Sequence, residues 1–130
     1  YSNKLKQGFD VVNENGILIK NHLLTFEGLL PKSYAYCSDT EYHESIVELI
    51  SNCDALYHES TFLEKHKVLS KSTKHSTAKQ AGKIAKLANV NLLILGHYSS
   101  RYDNIKDFKT EAETEFNNVL LSEDNKIIEI

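Results

Sequence analysis

Three short apolar runs in this chain each end in a cluster of polar, chemistry-bearing side chains. Ser33-Tyr34-Ala35-Tyr36-Cys37 runs into Ser38-Asp39-Thr40. Asp54-Ala55-Leu56-Tyr57 runs into His58-Glu59-Ser60-Thr61, and Asn91-Leu92-Leu93-Ile94-Leu95 into Gly96-His97-Tyr98-Ser99-Ser100-Arg101-Tyr102. Short apolar and aromatic runs bounded this way read as buried strands. The third is nearly all apolar, so both of its faces should be covered. Between the strands the apolar period changes. Ile46, Val47, Leu49 and Ile50 make the stripe of a short helix. Ser76 or Thr77 caps a long helix whose apolar face is Ala81, Ile84, Ala85, Leu87 and Ala88. Glu64 to Lys74 reads as a polar, lysine-rich loop, Ile105 to Leu121 as a final helix, and Lys126 to Ile130 as a last strand. Upstream, Asn13-Glu14-Asn15-Gly16 is a turn signal between Phe9–Val12 and Ile17–Ile19, which predicts a hairpin. Alternating strands and helices imply an α/β layered fold with its strands in one sheet. In such folds ligand chemistry gathers where strands end, because the strand ends fix side chains that loops expose.

The chain has 130 residues, enough for one core and one domain. Its net charge is −3, which argues mildly against a nucleic-acid partner, although bound cations invert the local sign at a metal site. Cys37 and Cys53 form no Cys-x-x-Cys pair and read as reduced, buried, small apolar residues of a cytosolic protein. No apolar run approaches the ~20 residues that cross a membrane. The chain begins Tyr-Ser-Asn-Lys-Leu-Lys and contains no Met. The expectation is part of a longer protein, or a processed or truncated piece.

Several residues in these clusters carry usable chemistry. Asp39 is either a turn or helix-capping residue or a carboxylate able to bridge two cations. His97 suits a zinc ligand, with its second nitrogen held by a hydrogen-bond acceptor, and Gly96 lets backbone or ligand approach. His75, at the start of the long helix, is either an exposed loop residue or a general acid facing a transferring phosphate. Glu59 then orients it, as carboxylates orient imidazoles in catalytic dyads. Ser99 and Arg101 offer a hydroxyl and a bidentate fork to phosphate. His58 should point away from Glu59 and has no assigned role. His22, His43 and His66 read as surface residues.

Taken together, four ordered segments resemble the C-terminal motifs of ribonuclease Z, a metallo-β-lactamase-fold family. They are Tyr34–Thr40, Tyr57–Phe62, Lys74-His75-Ser76-Thr77-Ala78 and Gly96–Tyr102, with His75 and His97 lying 36 and 58 residues after Asp39. The resemblance covers about Pro31 to Tyr102. It implies the C-terminal half of an αββα sandwich, with residues 1–32 as the trailing edge of an upstream arm and sheet region and 33–130 as the motif-bearing half. It implies a zinc-dependent endoribonuclease that trims the 3′ trailer of precursor tRNA with two Zn2+ per full site. Asp39 and His97 would ligate metal, His75 and Glu59 would be catalytic, and Ser99 and Arg101 would bind phosphate. It also implies a cytoplasmic homodimer with no membrane association. The family's His-x-His-x-Asp-His motif is absent from this chain, and catalytic zinc needs about three protein ligands. The expectation is therefore that the chain alone is inactive and that a sheet face lacks its cover. Two other readings stand beside this one: another phosphodiesterase of the same fold, and a non-catalytic interaction domain.

Overall fold

The computed structural model describes residues 31–130 and the backbone of two upstream strands, β1 (Val11–Val12) and β2 (Leu18–Ile19). These two pair antiparallel, Val11 with Ile19 and Val12 with Leu18, so the expected hairpin strands are present. Its turn, Asn13 to Gly16, lies outside the described residues, as does His22. β3 (Tyr34–Cys37) pairs antiparallel with β2. It alternates half-buried tyrosines with buried Ala35 and Cys37, the two-residue period of a strand. β4 (Ala55–Glu59), β5 (Leu92–Gly96) and β6 (Val119–Leu121) follow in parallel, completing one six-stranded sheet in sequence order. All five residues of β5 are buried, as a strand covered on both faces requires.

The parallel pairs need crossovers, and here several boundaries depart from expectation. Between β3 and β4 only a 3-10 turn, Glu44–Ile46, forms where a short helix was read. Its N-terminal residue, His43, makes no side-chain cap, and Asn52 turns left-handed at φ 61° before β4. Ile46 and Ile50 are buried, but Leu49 is exposed. The lysine-rich stretch read as a loop is instead a 3-10 turn, Glu64–His66, followed by α1 (Lys67–Ser72). Polarity does not imply irregularity: lysine and leucine are good helix formers, and a solvated helix needs little apolar face.

The long helix α2 (Ala78–Ala88) begins at Thr77, whose hydroxyl accepts from the Gln80 N–H while the Gln80 side chain accepts from the Thr77 N–H. This reciprocal pair satisfies two of the donors that a helix start leaves open. Ala78, Ala81, Gly82, Ile84, Ala85 and Ala88 are buried, whereas Leu87 is half exposed and off the predicted face. The final helix is short, α3 (Lys106–Ala112), because Val119–Leu121 leaves it to pair with Leu93–Leu95 as β6. Sheet pairing of three apolar residues outweighs local helical preference there. Lys126–Ile130, expected as a strand, is none. Its Ile128 and Ile130 pack against the sheet face opposite the helices.

The main core lies between the sheet and its helices, joining Leu56, Leu93 and Leu95 to Ile84, Ala85, Phe108 and Ala112. The other face holds a smaller cluster of Ala55, Leu92 and Ile94, edged by half-buried Tyr34, Tyr57 and Leu120. Cys37 and Cys53 are buried free thiols, and burial pushes both up to about 12. Among the described residues no helix is long and apolar enough to cross a membrane.

His58 stands beside Cys37 on one side and Leu95 on the other, fully buried. Its Nδ1–H donates to the Glu59 carbonyl at 2.8 Å, and its Nε2 has no partner among the described residues. Burial holds the imidazole below the usual histidine range. Above pH ~6.5 neither the folded nor the unfolded state protonates it; below that, the unfolded chain takes a proton that the folded one refuses. Stability measured by denaturant titration should therefore fall as pH drops below ~6.5, and His58→Asn should flatten that slope.

Close helix packing supplies a second test. A Cβ at Gly82 would lie 2.7 Å from the carbonyl oxygen of Ala112 in α3. Alanine ordinarily stabilises a helix interior by about 1 kcal/mol relative to glycine. Here the backbone clash reverses the sign, and Gly82→Ala should destabilise by about 1–3 kcal/mol in thermal or denaturant unfolding.

Candidate active site

Parallel register brings the ends of β3, β4 and β5 to one edge of the sheet. Glu59 is the last residue of β4, His97 follows the last residue of β5, and Asp39 lies two residues beyond β3. His75 comes from the connection ahead of α2, two residues before its cap, rather than from the helix itself. One donor atom from each of Asp39, Glu59, His75 and His97 lies within 4.8 Å of the others. The four residues that the sequence singled out from four separate segments thus meet in one place.

Three residues here adopt left-handed backbone: Asp39 (φ 51°), Lys74 (φ 60°) and His97 (φ 62°). Each costs on the order of 1 kcal/mol relative to right-handed geometry, less for Asp. Such conformations persist where the surroundings hold them, and they concentrate at functional sites.

Glu59 has no exposed surface, yet its carboxylate is well satisfied. Oε1 accepts from the Thr40 N–H at 2.7 Å and from His75 Nδ1 at 2.8 Å. Oε2 accepts from the Thr61 hydroxyl at 2.5 Å and from the Ser76 N–H at 3.3 Å. Because a carboxylate only accepts, the His75 proton facing it sits on Nδ1, and Nε2 is the nitrogen left for other chemistry. The His75 ring stacks on His97, with centroids 5.4 Å apart and planes inclined by 27°.

His97 Nδ1 lies 2.8 Å from the Thr61 hydroxyl, and its Nε2 lies 3.5 Å from Asp39 Oδ1. That second separation is too long for a good hydrogen bond. Two N/O donors at ~2.0–2.1 Å on one tetrahedral zinc stand about 3.3–3.4 Å apart, so Asp39 and His97 fit two ligands of a single ion. Glu59 does not fit a ligand, because four donors already engage its two oxygens.

The loop after His97 is held from both ends. The Ser99 N–H donates to the Thr61 carbonyl at 2.9 Å, and the Ser99 hydroxyl accepts from the Arg101 N–H. The Arg101 guanidinium lies 5.6 Å over the Phe62 ring and is exposed. Tyr102 latches the loop down: its hydroxyl accepts from the Leu63 N–H at 3.0 Å and bonds His66 Nδ1 at 2.5 Å. His66 is therefore half buried with a defined partner rather than a bare surface residue, while His43 is exposed as expected. Gly96 serves neighbouring protein: a Cβ there would lie 2.2 Å from the Tyr57 hydroxyl oxygen. Thr40 and Thr61 carry no role in the sequence reading, and Ser76, one of two expected helix caps, instead bonds Glu59 through its N–H and Thr40 through its hydroxyl, while Thr77 caps α2.

Glu59→Gln tests the dependence of this site on one carboxylate. An amide nitrogen in that position faces N–H groups it cannot accept from, so the variant should lose about 2–4 kcal/mol in denaturant unfolding. Asp39→Asn, at an exposed position, should change stability by less than about 0.5 kcal/mol.

No family model matches the chain. It is 46% identical over 93% of its length to a curated protein of Parabacteroides distasonis named Ribonuclease Z, of which it covers 40%. With the Ribonuclease Z of Cytophaga hutchinsonii it shares 44% identity over 91% of its length, covering 38% of that protein. The chain thus spans about two fifths of the length of the curated relatives it matches. Among solved structures, the metallo-β-lactamase fold protein YhfI of Bacillus subtilis matches with a TM-score of 0.66 at 22% identity, over 87% of this chain and 48% of that one. The short form of human tRNase Z matches at 0.61 and 22%, over 96% and 48%, and a long-form RNase Z from yeast at 0.71 and 17%, over 93% and 18%. The expected α/β, metallo-β-lactamase architecture is borne out, as is the resemblance to ribonuclease Z read from the four motifs.

Proposed function

We propose that this chain is the motif-bearing part of a ribonuclease Z, residues 33–130, with 1–32 as the trailing edge of a preceding arm and sheet region. The parent protein would be a metal-dependent endoribonuclease that removes the 3′ trailer of precursor tRNA. The observation that carries this reading is the convergence of Asp39, Glu59, His75 and His97 at three strand ends and one helix start. The 41–46% identity to curated ribonucleases Z supports it.

Asp39 and His97 would hold zinc, and two ions would complete the full site. When bound, zinc supplies a nucleophile near neutral pH and neutralises charge that develops on phosphoryl oxygens. The chain's own residues supply the rest. His75 has its Nδ1–H committed to Glu59, which fixes the ring and leaves Nε2 to deliver a proton to the leaving oxygen. Glu59, buried and held by four donors, cannot swing away, so it fixes the ring that it orients. Ser99 and Arg101 lie on the loop that follows His97 and would grip phosphate. Lys67, Lys71 and Lys83 wall a groove that runs to His75, and they would meet the RNA backbone. The products would be a tRNA 3′-hydroxyl and a trailer 5′-phosphate. The parent is taken to be a cytoplasmic homodimer.

Two protein ligands fall short of the about three that catalytic zinc uses, so the chain alone should not cleave RNA. The test compares this chain with the full-length protein that contains it. Elemental analysis should find two zinc ions per full-length chain and little in this one. His75→Ala in the full-length protein should lower precursor-tRNA cleavage by about 100-fold or more with zinc content unchanged. Zinc-free full-length protein, or cleavage of simple phosphodiesters with none of precursor tRNA, would overturn the assignment.

A further inference from the structure

Thr61 stands between the two halves of the site, and its one hydroxyl proton decides how they are joined. The side chain is 7% exposed, and its Oγ1 lies 2.5 Å from Glu59 Oε2 and 2.8 Å from His97 Nδ1. Both contacts are hydrogen bonds, but a hydroxyl has a single proton to give. The Glu59 carboxylate can only accept. Were Thr61 to donate to His97 instead, two oxygen acceptors would face each other across the Glu59 contact. Thr61 must therefore donate to Glu59, and His97 must donate its Nδ1–H to Thr61. That leaves the lone pair of His97 on Nε2, the nitrogen 3.5 Å from Asp39 Oδ1.

We infer that Thr61 is a positioning residue that fixes His97 in the Nδ1–H tautomer and presents Nε2 to a metal ion. Partners of this kind set both the tautomer and the ring orientation of a ligating histidine. The threonine is itself oriented by Glu59, the carboxylate that holds His75. One buried anion thus orders a metal-facing nitrogen through a hydroxyl on one side and a proton-donating ring directly on the other. The tautomer assignment rests on hydrogen-bond chemistry alone; only its use toward zinc rests on the function proposed above.

Long-range 15N–1H correlations of the 15N-labelled chain at mildly alkaline pH report each neutral imidazole tautomer. The His97 signals can be identified by their loss in His97→Gln. Wild-type His97 should show the Nδ1–H pattern. Thr61→Val, which keeps the shape and removes the hydroxyl, should lose it, and Thr61→Ser should restore it. An Nε2–H pattern in the wild type, or an unchanged Nδ1–H pattern in Thr61→Val, overturns the inference. If Thr61→Val fails to fold, the wild-type and Thr61→Ser spectra still decide the tautomer. In the full-length protein, Thr61→Val should weaken zinc binding by about 10- to 100-fold in a competition titration, with Thr61→Ser near wild type. Equal affinity in all three breaks the link to the metal. Absence of zinc from the wild-type protein overturns the proposed function and leaves the tautomer result standing.

Discussion

A carboxylate without exposed surface needs compensation for every lone pair it takes out of water, and Glu59 obtains it from four donors on three stretches of chain. Thr40 follows β3, Thr61 follows β4, and His75 and Ser76 precede α2. Burial of a charge is costly unless it is paired and hydrogen-bonded, so those stretches are held to one geometry by the same group. Each donor makes further bonds in turn. The Ser76 hydroxyl donates to the Thr40 carbonyl, and Thr61 reaches His97. The site is therefore ordered outward from a polar centre, while the apolar core beneath positions only the strands that lead to it. This division explains how side chains from loops reach fixed positions without help from the hydrophobic core.

Much of the fold was legible because its strands are short, apolar and sharply ended. β3, β4 and β5 were found at their places, and Thr77 was among the two residues expected to cap α2. The failures came where local and tertiary preferences compete. Lysines between Glu64 and Lys74 looked like a solvated loop, yet their long unbranched side chains suit a solvated helix equally well. Val119–Leu121 continues a helical pattern on paper, and only the open edge of β5 tells it to become a strand. That edge cannot be seen from within the segment.

Legibility of the site was uneven for a related reason. Asp39, Glu59, His75 and His97 declare themselves by residue type and by their positions after strands or before a helix. Thr61 does not, because threonine is common at strand ends and its worth lies in what it touches. His66 and Tyr102 are likewise ordinary until the loop after His97 folds back and joins them. Residues that act through a neighbour leave a weak trace in sequence, whereas residues that carry charge or a ring nitrogen leave a strong one.

Asp39 and His97 share left-handed backbone as well as donor atoms. Asn, Asp and His are the non-glycine residues most tolerant of that conformation, and Asp and His are also good cation ligands. The overlap leaves each position a very small alphabet. Glutamate or cysteine offers a donor atom but fits the backbone poorly; glycine fits the backbone but offers no donor. Substitution at these two positions is thus confined by the main chain before any demand of chemistry, and attempts to re-engineer them would have to rebuild the turns first.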